Sequence, residues 1–164
     1  MRKFIILILI FLVSTVAHWA FAAAGAGFGA NINFMLAAGA AVCSFYERRA
    51  GYAFMFCCGI FLDFFGVNMF GAYALAFTFC AAAVYLVKES LDFEYAVPQA
   101  VLVFCLTLFC VLVYNLAGVI FEKSVSWNGA RSLIFGAVIN ALISPVIFYA
   151  LKKLQLAAPG KSIK

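Results

Sequence analysis

The chain of 164 residues is 68% hydrophobic and only 10% charged. A soluble domain is about half apolar and about a quarter charged, so the composition excludes an ordinary soluble protein and indicates a single transmembrane domain over 1–164. The net charge of +5 does not indicate nucleic-acid binding, because the basic residues stand at the ends of apolar runs, where they orient the chain and meet anionic lipid headgroups.

Six apolar segments follow one another along the chain, and the first, 4–24, is long enough to cross a bilayer. Its basic start and apolar run also resemble a secretory signal peptide, but we expect the segment to be retained as a span. The other five are predicted over 32–45, 52–65, 70–87, 98–121 and 130–151. The second is short for a full crossing, so a tilted, kinked or re-entrant course stays open for it.

The basic residues predict how the chain is oriented. If all six segments cross, nine of the eleven basic side chains fall on one side: Arg2, Lys3, Arg48, Arg49, Lys88, Lys152, Lys153, Lys161 and Lys164. Only Lys123 and Arg131 fall on the other side. Because Lys and Arg accumulate in cytoplasmic loops, both termini are predicted to be cytoplasmic.

Asp63 is the only acidic residue placed inside an apolar run. An ionised carboxylate at the centre of a membrane helix costs about 2.5–3.5 kcal/mol on insertion scales, so it is kept only where something compensates it. In a helix over 52–65, Gly59, Asp63 and Gly66 would share one face, and faces of small residues let membrane helices approach closely. We therefore expect Asp63 to be buried against neighbouring helices.

Two kinds of partner would compensate this carboxylate, and the sequence leaves both open. Backbone amides of the 66–71 turn would give Asp63 the role of a cap. Alternatively, His18 or Arg131 would form a charge pair with it, since the predicted topology places all three in the same half of the membrane. A structural role is favoured over a role in moving protons or binding substrate.

The last segment combines a polar face with a proline. Gly136, Asn140 and Ser144 recur at helical spacing, and interhelical hydrogen bonds from such residues specify packing more than they drive it. Pro145 is expected to kink the helix, with Ser144 able to satisfy the carbonyl that the proline frees.

The sequence contains no recognisable catalytic motif. It has no HExxH, no phosphate-binding glycine loop followed by Lys and no paired intramembrane carboxylates, so we predict no enzymatic activity, cofactor or metal. The six cysteines lie in apolar runs, and the adjacent pair Cys57 and Cys58 has the wrong spacing for a metal or redox site. We interpret the cysteines as small membrane-buried hydrophobes.

Two stretches carry a resemblance to a known family. The segment from Gly59 through Asp63 to Gly66 and Gly71 resembles the Gly-x3-Asp element and glycine-started helix of the MreD family, the rod-shape-determining membrane proteins of bacteria. The stretch from Asn140 to Pro145 resembles the family's Asn-x4-Pro ending. The likeness covers the whole chain in hydropathy, but residue identity only in such stretches.

The resemblance implies a fold, a location and a set of partners. The fold would be a six-helix transmembrane bundle similar to the substrate-binding S-components of energy-coupling-factor transporters, in the bacterial inner membrane. The function would be a non-enzymatic scaffold of the elongasome, assembled with MreC and, through the complex, with MreB, RodA and a penicillin-binding transpeptidase. The matching residues would hold the bundle in the shape that its partner recognises: Gly59, Asp63, Gly66, Gly71, Asn140 and Pro145.

An alternative function is that of an S-component, which captures a small vitamin-like ligand from the outer side. Such a protein needs an enclosed pocket with several convergent polar groups. The candidates in this sequence are Asp63, Arg131, Asn115, His18, Asn31 and Asn33. A small membrane enzyme is a third interpretation, which the lack of paired acid and base groups disfavours.

Overall fold

Long uncharged runs of apolar residues dictate helix in this chain, because a helix satisfies its backbone hydrogen bonds within its own segment when no water is present. The computed structural model describes residues 2–25, 32–66, 69–121 and 130–156, and this part of the chain contains six α-helices and no strand. The helices are α1 Arg2–Gly25, α2 Phe34–Phe45, α3 Arg48–Phe65, α4 Ala72–Val87, α5 Ala96–Phe121 and α6 Ala130–Leu156. The all-helical prediction is confirmed.

Helix boundaries differ from the predicted segments by up to five residues, and the largest difference is at the carboxyl end of α6, which runs to Leu156 rather than to 151. Helix α3 begins at Arg48 rather than at 52, because the two arginines of the preceding polar stretch form its first turn. Helix α4 begins at Ala72, two residues later than predicted, and α5 begins at Ala96. Pro98 therefore lies within the first turn of α5, where a proline costs no helical hydrogen bond.

Three of the described helices are long and apolar enough to cross a membrane: α1, α5 and α6. They support association of this chain with a membrane. Helices α2 and α4 have 12 and 16 residues, which at 1.5 Å per residue gives about 18 and 24 Å, less than the hydrocarbon thickness of about 30 Å. Neither helix reaches across that thickness by its own length.

The short helix α2 is the core of the bundle. Ten of its twelve residues are buried, and it packs against each of the other five helices. A helix that is apolar on all sides is one that is buried on all sides, which explains why this segment carries no polar face. Among the described residues, helix α1 packs against α2 and α3 alone, and it exposes apolar side chains such as Leu12 and Val16 on its outer face.

Glycines mark the closest contacts between helices around this core. A Cβ on Gly39 of α2 would collide with the Met55 sulfur, and one on Gly51 of α3 would collide with the Tyr85 hydroxyl. At Gly59 the obstacle is main chain: a Cβ there would lie 2.7 Å from the Ala74 nitrogen and from the Tyr73 carbonyl oxygen. Helices α3 and α4 are thus in backbone contact at Gly59.

We expect Gly59→Ala to destabilise the protein, because a methyl group at this point must push the α4 backbone away from α3. Overpacking of this kind costs typically about 1–3 kcal/mol. The measurement is thermal unfolding in mild detergent with a thiol-reactive dye, which reports exposure of the buried Cys43, Cys58, Cys80 and Cys110.

Gly66→Ala is the matched control for this substitution. Gly66 is exposed just beyond α3 with φ −75°, and a Cβ there lies 3.3 Å from the Leu62 carbonyl oxygen at an end of the helix that can adjust. Equal unfolding temperatures for the two alanine variants would contradict a backbone contact at Gly59.

Candidate functional site

Asp63 caps helix α4 from the neighbouring helix α3. Its side chain is buried, with a relative exposure of 5%, and its two carboxylate oxygens accept hydrogen bonds from the backbone amides of Tyr73, at 2.9 Å, and Ala74, at 3.0 Å. These amides belong to the first turn of α4 and have no partner within their own helix. The negative charge also lies at the positive end of the α4 dipole.

Two glycines make this long-range cap possible. Gly59 lies one turn before Asp63 and lets the α4 backbone approach α3 closely enough for the carboxylate to reach it. Gly71 is the N-cap residue of α4, with a left-handed φ of +96°, a conformation that glycine adopts without steric cost. Because the usual N-cap side chain of Ser, Thr, Asp or Asn is missing at Gly71, the acceptor for the helix start comes from Asp63.

The structure gives Gly66 and Gly71 roles other than close helix packing. Helix α3 ends at Phe65, and Gly66 follows it in an extended conformation and is exposed. The sequence analysis placed Gly66 on one helix face with Gly59 and Asp63. Because α3 ends before Gly66, this residue is not part of that buried face. A Cβ on Gly71 would meet no atom within 4 Å, so its constraint is the positive φ.

Neither His18 nor Arg131 is brought to the Asp63 carboxylate. Within the described residues, the one ion pair is that between Lys152 and Glu94. His18 is half-buried on α1, with its Nδ1 unbonded and its ring 6.1 Å from that of Trp19. Arg131 is exposed in the first turn of α6. The sequence left two kinds of partner open for the Asp63 carboxylate, and in the structure its partners are the backbone amides of α4.

Asn140 serves the start of helix α2 in a comparable way. Its side chain is 1% exposed; its Oδ1 accepts from the Asn33 amide at 3.1 Å, and its Nδ2 donates to the Thr107 hydroxyl of α5 at 3.4 Å. Asn33 is the N-cap residue of α2, and its own Oδ1 accepts from the Leu36 amide at 3.1 Å. One asparagine of α6 thus joins α2 and α5.

Pro145 lies inside α6, which continues past it to Leu156. A proline has no amide hydrogen, so the carbonyl of Ala141, four residues earlier, loses its helical donor. The Ser144 hydroxyl donates to this carbonyl at 2.8 Å, as the sequence predicted. Ser144 is fully buried, so the bond keeps a polar oxygen satisfied inside the bundle.

The carboxyl end of α2 is held by residues to which the sequence analysis assigned no such role. The Lys88 ammonium donates to the carbonyls of Cys43, at 3.2 Å, and Tyr46, at 3.3 Å. The Tyr85 hydroxyl donates to the Glu47 carbonyl at 3.2 Å. A cation is favourable at the negative end of a helix dipole, and burial lowers the pKa of Lys88.

No sequence signal pointed to this second cap, because its donor and acceptors are separated by more than 40 residues. Helix α2 is consequently fixed at both ends by polar side chains from later helices. The candidate site is therefore a set of buried and half-buried caps: Asp63 on α4, Asn140 with Asn33 on the start of α2, and Lys88 with Tyr85 on its end.

The remaining polar candidates do not form a cluster. Asn115 donates from Nδ2 to the Val111 carbonyl of its own helix at 2.8 Å, and its buried Oδ1 is unbonded in the described structure. His18 and Asn115 lie on α1 and α5, and among the described residues the backbones of these two helices are not packed against each other. Asn31 lies outside the described residues, as do Lys123, Lys161 and Lys164 of the orientation count. The described part holds no group of three or more residues suited to bind a metal ion.

Comparisons with family models, with curated proteins and with solved structures give no match for this chain. The resemblance to the MreD family therefore rests on the residues of the two stretches themselves. Three of those residues act at helix starts. Gly71 is the N-cap residue of α4 and Asp63 binds the first turn of that helix. Asn140 binds the N-cap residue of α2.

We expect Asp63→Asn to lower the unfolding temperature. An asparagine keeps one acceptor oxygen, but its NH₂ group faces a second backbone amide, so one hydrogen bond and the charge are lost together. Leaving a buried donor unpaired costs about 1–3 kcal/mol. The control is Glu89→Gln, which removes a carboxylate from an exposed position; the prediction fails if Asp63→Asn unfolds at the same temperature as that control.

We expect the same substitution to destabilise the protein at one asparagine and not at another. Asn140→Leu leaves the Asn33 amide without its partner and should destabilise the protein by about 1–3 kcal/mol. Asn115→Leu removes a buried oxygen that has no partner and should be neutral or stabilising. Unfolding temperatures of both variants test this contrast, and a similar loss for the two would contradict the assigned role of Asn140.

Proposed function

We propose that this chain is a non-enzymatic membrane scaffold of the MreD type, which helps to assemble the elongation machinery of the cell wall in a rod-shaped bacterium. The observation that supports this proposal is the hydrogen bonding of the Asp63 carboxylate. Both oxygens of Asp63 bind backbone amides of α4, so the most costly polar group of the bundle fixes helix geometry. A protein that works by presenting a fixed shape needs such constraints.

In the proposed topology all six helices are arranged as transmembrane segments in the inner membrane, with both termini in the cytoplasm. The contacts at one end of the bundle support this arrangement. Lys88 at the end of α4 reaches Tyr46 before α3, and Arg48 lies 5.8 Å from the centre of the Tyr85 ring. The ends of α2 and α4 and the start of α3 thus meet on one side, as alternating crossings require.

The proposed partner is an MreC-like protein, and through it the complex would reach MreB, RodA and a penicillin-binding transpeptidase. These names come from the resemblance of the Gly59–Gly71 and Asn140–Pro145 stretches. The described structure contributes a physical reason why these residues matter: they set where α2 and α4 begin, and hence the outline that the bundle offers to another membrane protein.

A second candidate function, capture of a small ligand by an S-component, is favoured by one observation. The Nδ1 of His18 and the Oδ1 of Asn115 are buried and unbonded within the described structure, as groups awaiting a ligand would be. Because the backbones of α1 and α5 are not packed against each other in the described part of the chain, a ligand would have to bridge them.

Co-purification tests the scaffold. The tagged full-length chain is expressed with the MreC-like protein of the same organism and isolated in mild detergent. The wild type should retain that partner, whereas Asp63→Asn should lose most of it at equal membrane levels, since α4 no longer keeps its position. Glu89→Gln is the control and should retain the partner. A wild-type chain that never retains it overturns the proposal.

The same preparation separates the two candidate functions. Mass spectrometry of the purified wild type should find no stoichiometric small organic ligand if the scaffold is right. A retained vitamin-like molecule that is lost in both His18→Ala and Asn115→Leu would instead establish ligand capture.

A further inference from the structure

A cavity of about 450 Å³ lies between the first turn of α5 and the second half of α6. It is lined by Glu94, Ala96, Gln99, Pro145, Phe148, Tyr149, Lys152 and Lys153. Its size falls within the range of small-molecule sites, about 300–1,000 Å³. None of the buried caps contributes to it, so it is separate from the site described above.

The lining changes from apolar to cationic along α6. Pro145 and Phe148 form the deeper part, and Lys152 and Lys153 follow about 11 Å further along at a rise of 1.5 Å per residue. Tyr149, between the two parts, is 69% exposed, and tyrosines are enriched where hydrocarbon meets headgroups. The cavity therefore spans the boundary between the apolar layer and the headgroup layer.

The cationic end of the cavity carries one more positive charge than negative charge. Lys152 pairs with Glu94 at 3.1 Å, but the two side chains are 43% and 74% exposed, and pairs so exposed contribute little to stability. Lys153 has no partner among the described residues. Two ammonium groups thus face one carboxylate, so the lining has an unmatched positive charge.

Gln99 adds a polar group in the wall of the cavity. Its side chain is 7% exposed, and its Nε2 donates to the Phe93 carbonyl at 2.6 Å. This bond fixes the amide, whose oxygen Oε1 is the atom of the side chain that can accept a hydrogen bond. A ligand that fits the lining has an apolar tail, an anionic centre and a hydroxyl-bearing headgroup.

We propose that this cavity binds one anionic phospholipid, with its phosphate on Lys152 and Lys153, its headgroup hydroxyl on Gln99 and an acyl chain along Pro145 and Phe148. Basic pockets between transmembrane helices are a recurrent form of lipid headgroup site. The inference does not depend on the scaffold function. It identifies one anionic phospholipid as a specific ligand of this protein.

The test measures lipid affinity of the purified full-length protein in neutral detergent by native mass spectrometry. Phosphatidylglycerol should bind more tightly than phosphatidylcholine with the same acyl chains. Lys153→Gln should weaken phosphatidylglycerol binding by about fivefold, the effect of about one basic residue at a membrane surface. Equal affinities for the two lipids would overturn the proposal.

Two further variants separate this cavity from general surface charge. Arg49→Gln removes an exposed basic residue of α3 that does not line the cavity, and it should leave the affinity unchanged. Ala96→Phe keeps the charge but places a ring at an exposed position of the lining, and it should weaken binding of phosphatidylglycerol. If Arg49→Gln matches Lys153→Gln, or Ala96→Phe has no effect, the cavity is not the site.

A soluble anion identifies the contribution of the acyl chain. Glycerol 3-phosphate, added at the same concentrations, should not compete with phosphatidylglycerol, because it lacks the part that contacts Pro145 and Phe148. Competition at equal concentration would show a site for free phosphate esters, and would overturn the lipid proposal.

Discussion

The hydrogen bonds from the first-turn amides of α4 to Asp63 are the constraint on which the rest of the bundle depends. Inside a membrane, an unpaired backbone amide costs several kcal/mol because no water replaces the missing partner. Helix α4 has 16 residues, and the amides of its first turn have no acceptor within the helix itself, so the acceptor comes from another part of the protein. Asp63 supplies two oxygens and a charge of the right sign for the helix dipole.

The same reasoning accounts for α2, which is shorter still and lies at the centre. Its first turn is capped by Asn33 and linked to α6 by Asn140, and its last carbonyls are bound by Lys88. The side chains of Asp63, Asn140 and Lys88 thus bind where short helices begin and end. Apolar contact fills the space between these points, with glycines at the closest approaches.

Much of this could be predicted from the sequence, for physical reasons that also set its limits. Hydropathy located all six helices, and the cost of burying Asp63 predicted a compensating partner. Whether Asp63 forms a cap or an ion pair depended on where α4 begins relative to α3. The local sequence pattern of either helix does not contain that information. Lys88 was missed for a similar reason: a lysine after a helix is ordinary in any membrane protein, and its acceptors lie on another helix.

The caps on α2 also have a consequence for how the protein is made. Chains fold from the amino end as they emerge from the ribosome, yet the groups that hold α2 come from Lys88 and Asn140, which are translated long after it. Lys88 and Asn140 therefore reach the ends of α2 only after α4 and α6 have been made, and until then the side chain of Asn33 is the polar cap at its start. The bundle is complete only when α6 packs against α2, so the docking of α6 is the last step in its assembly.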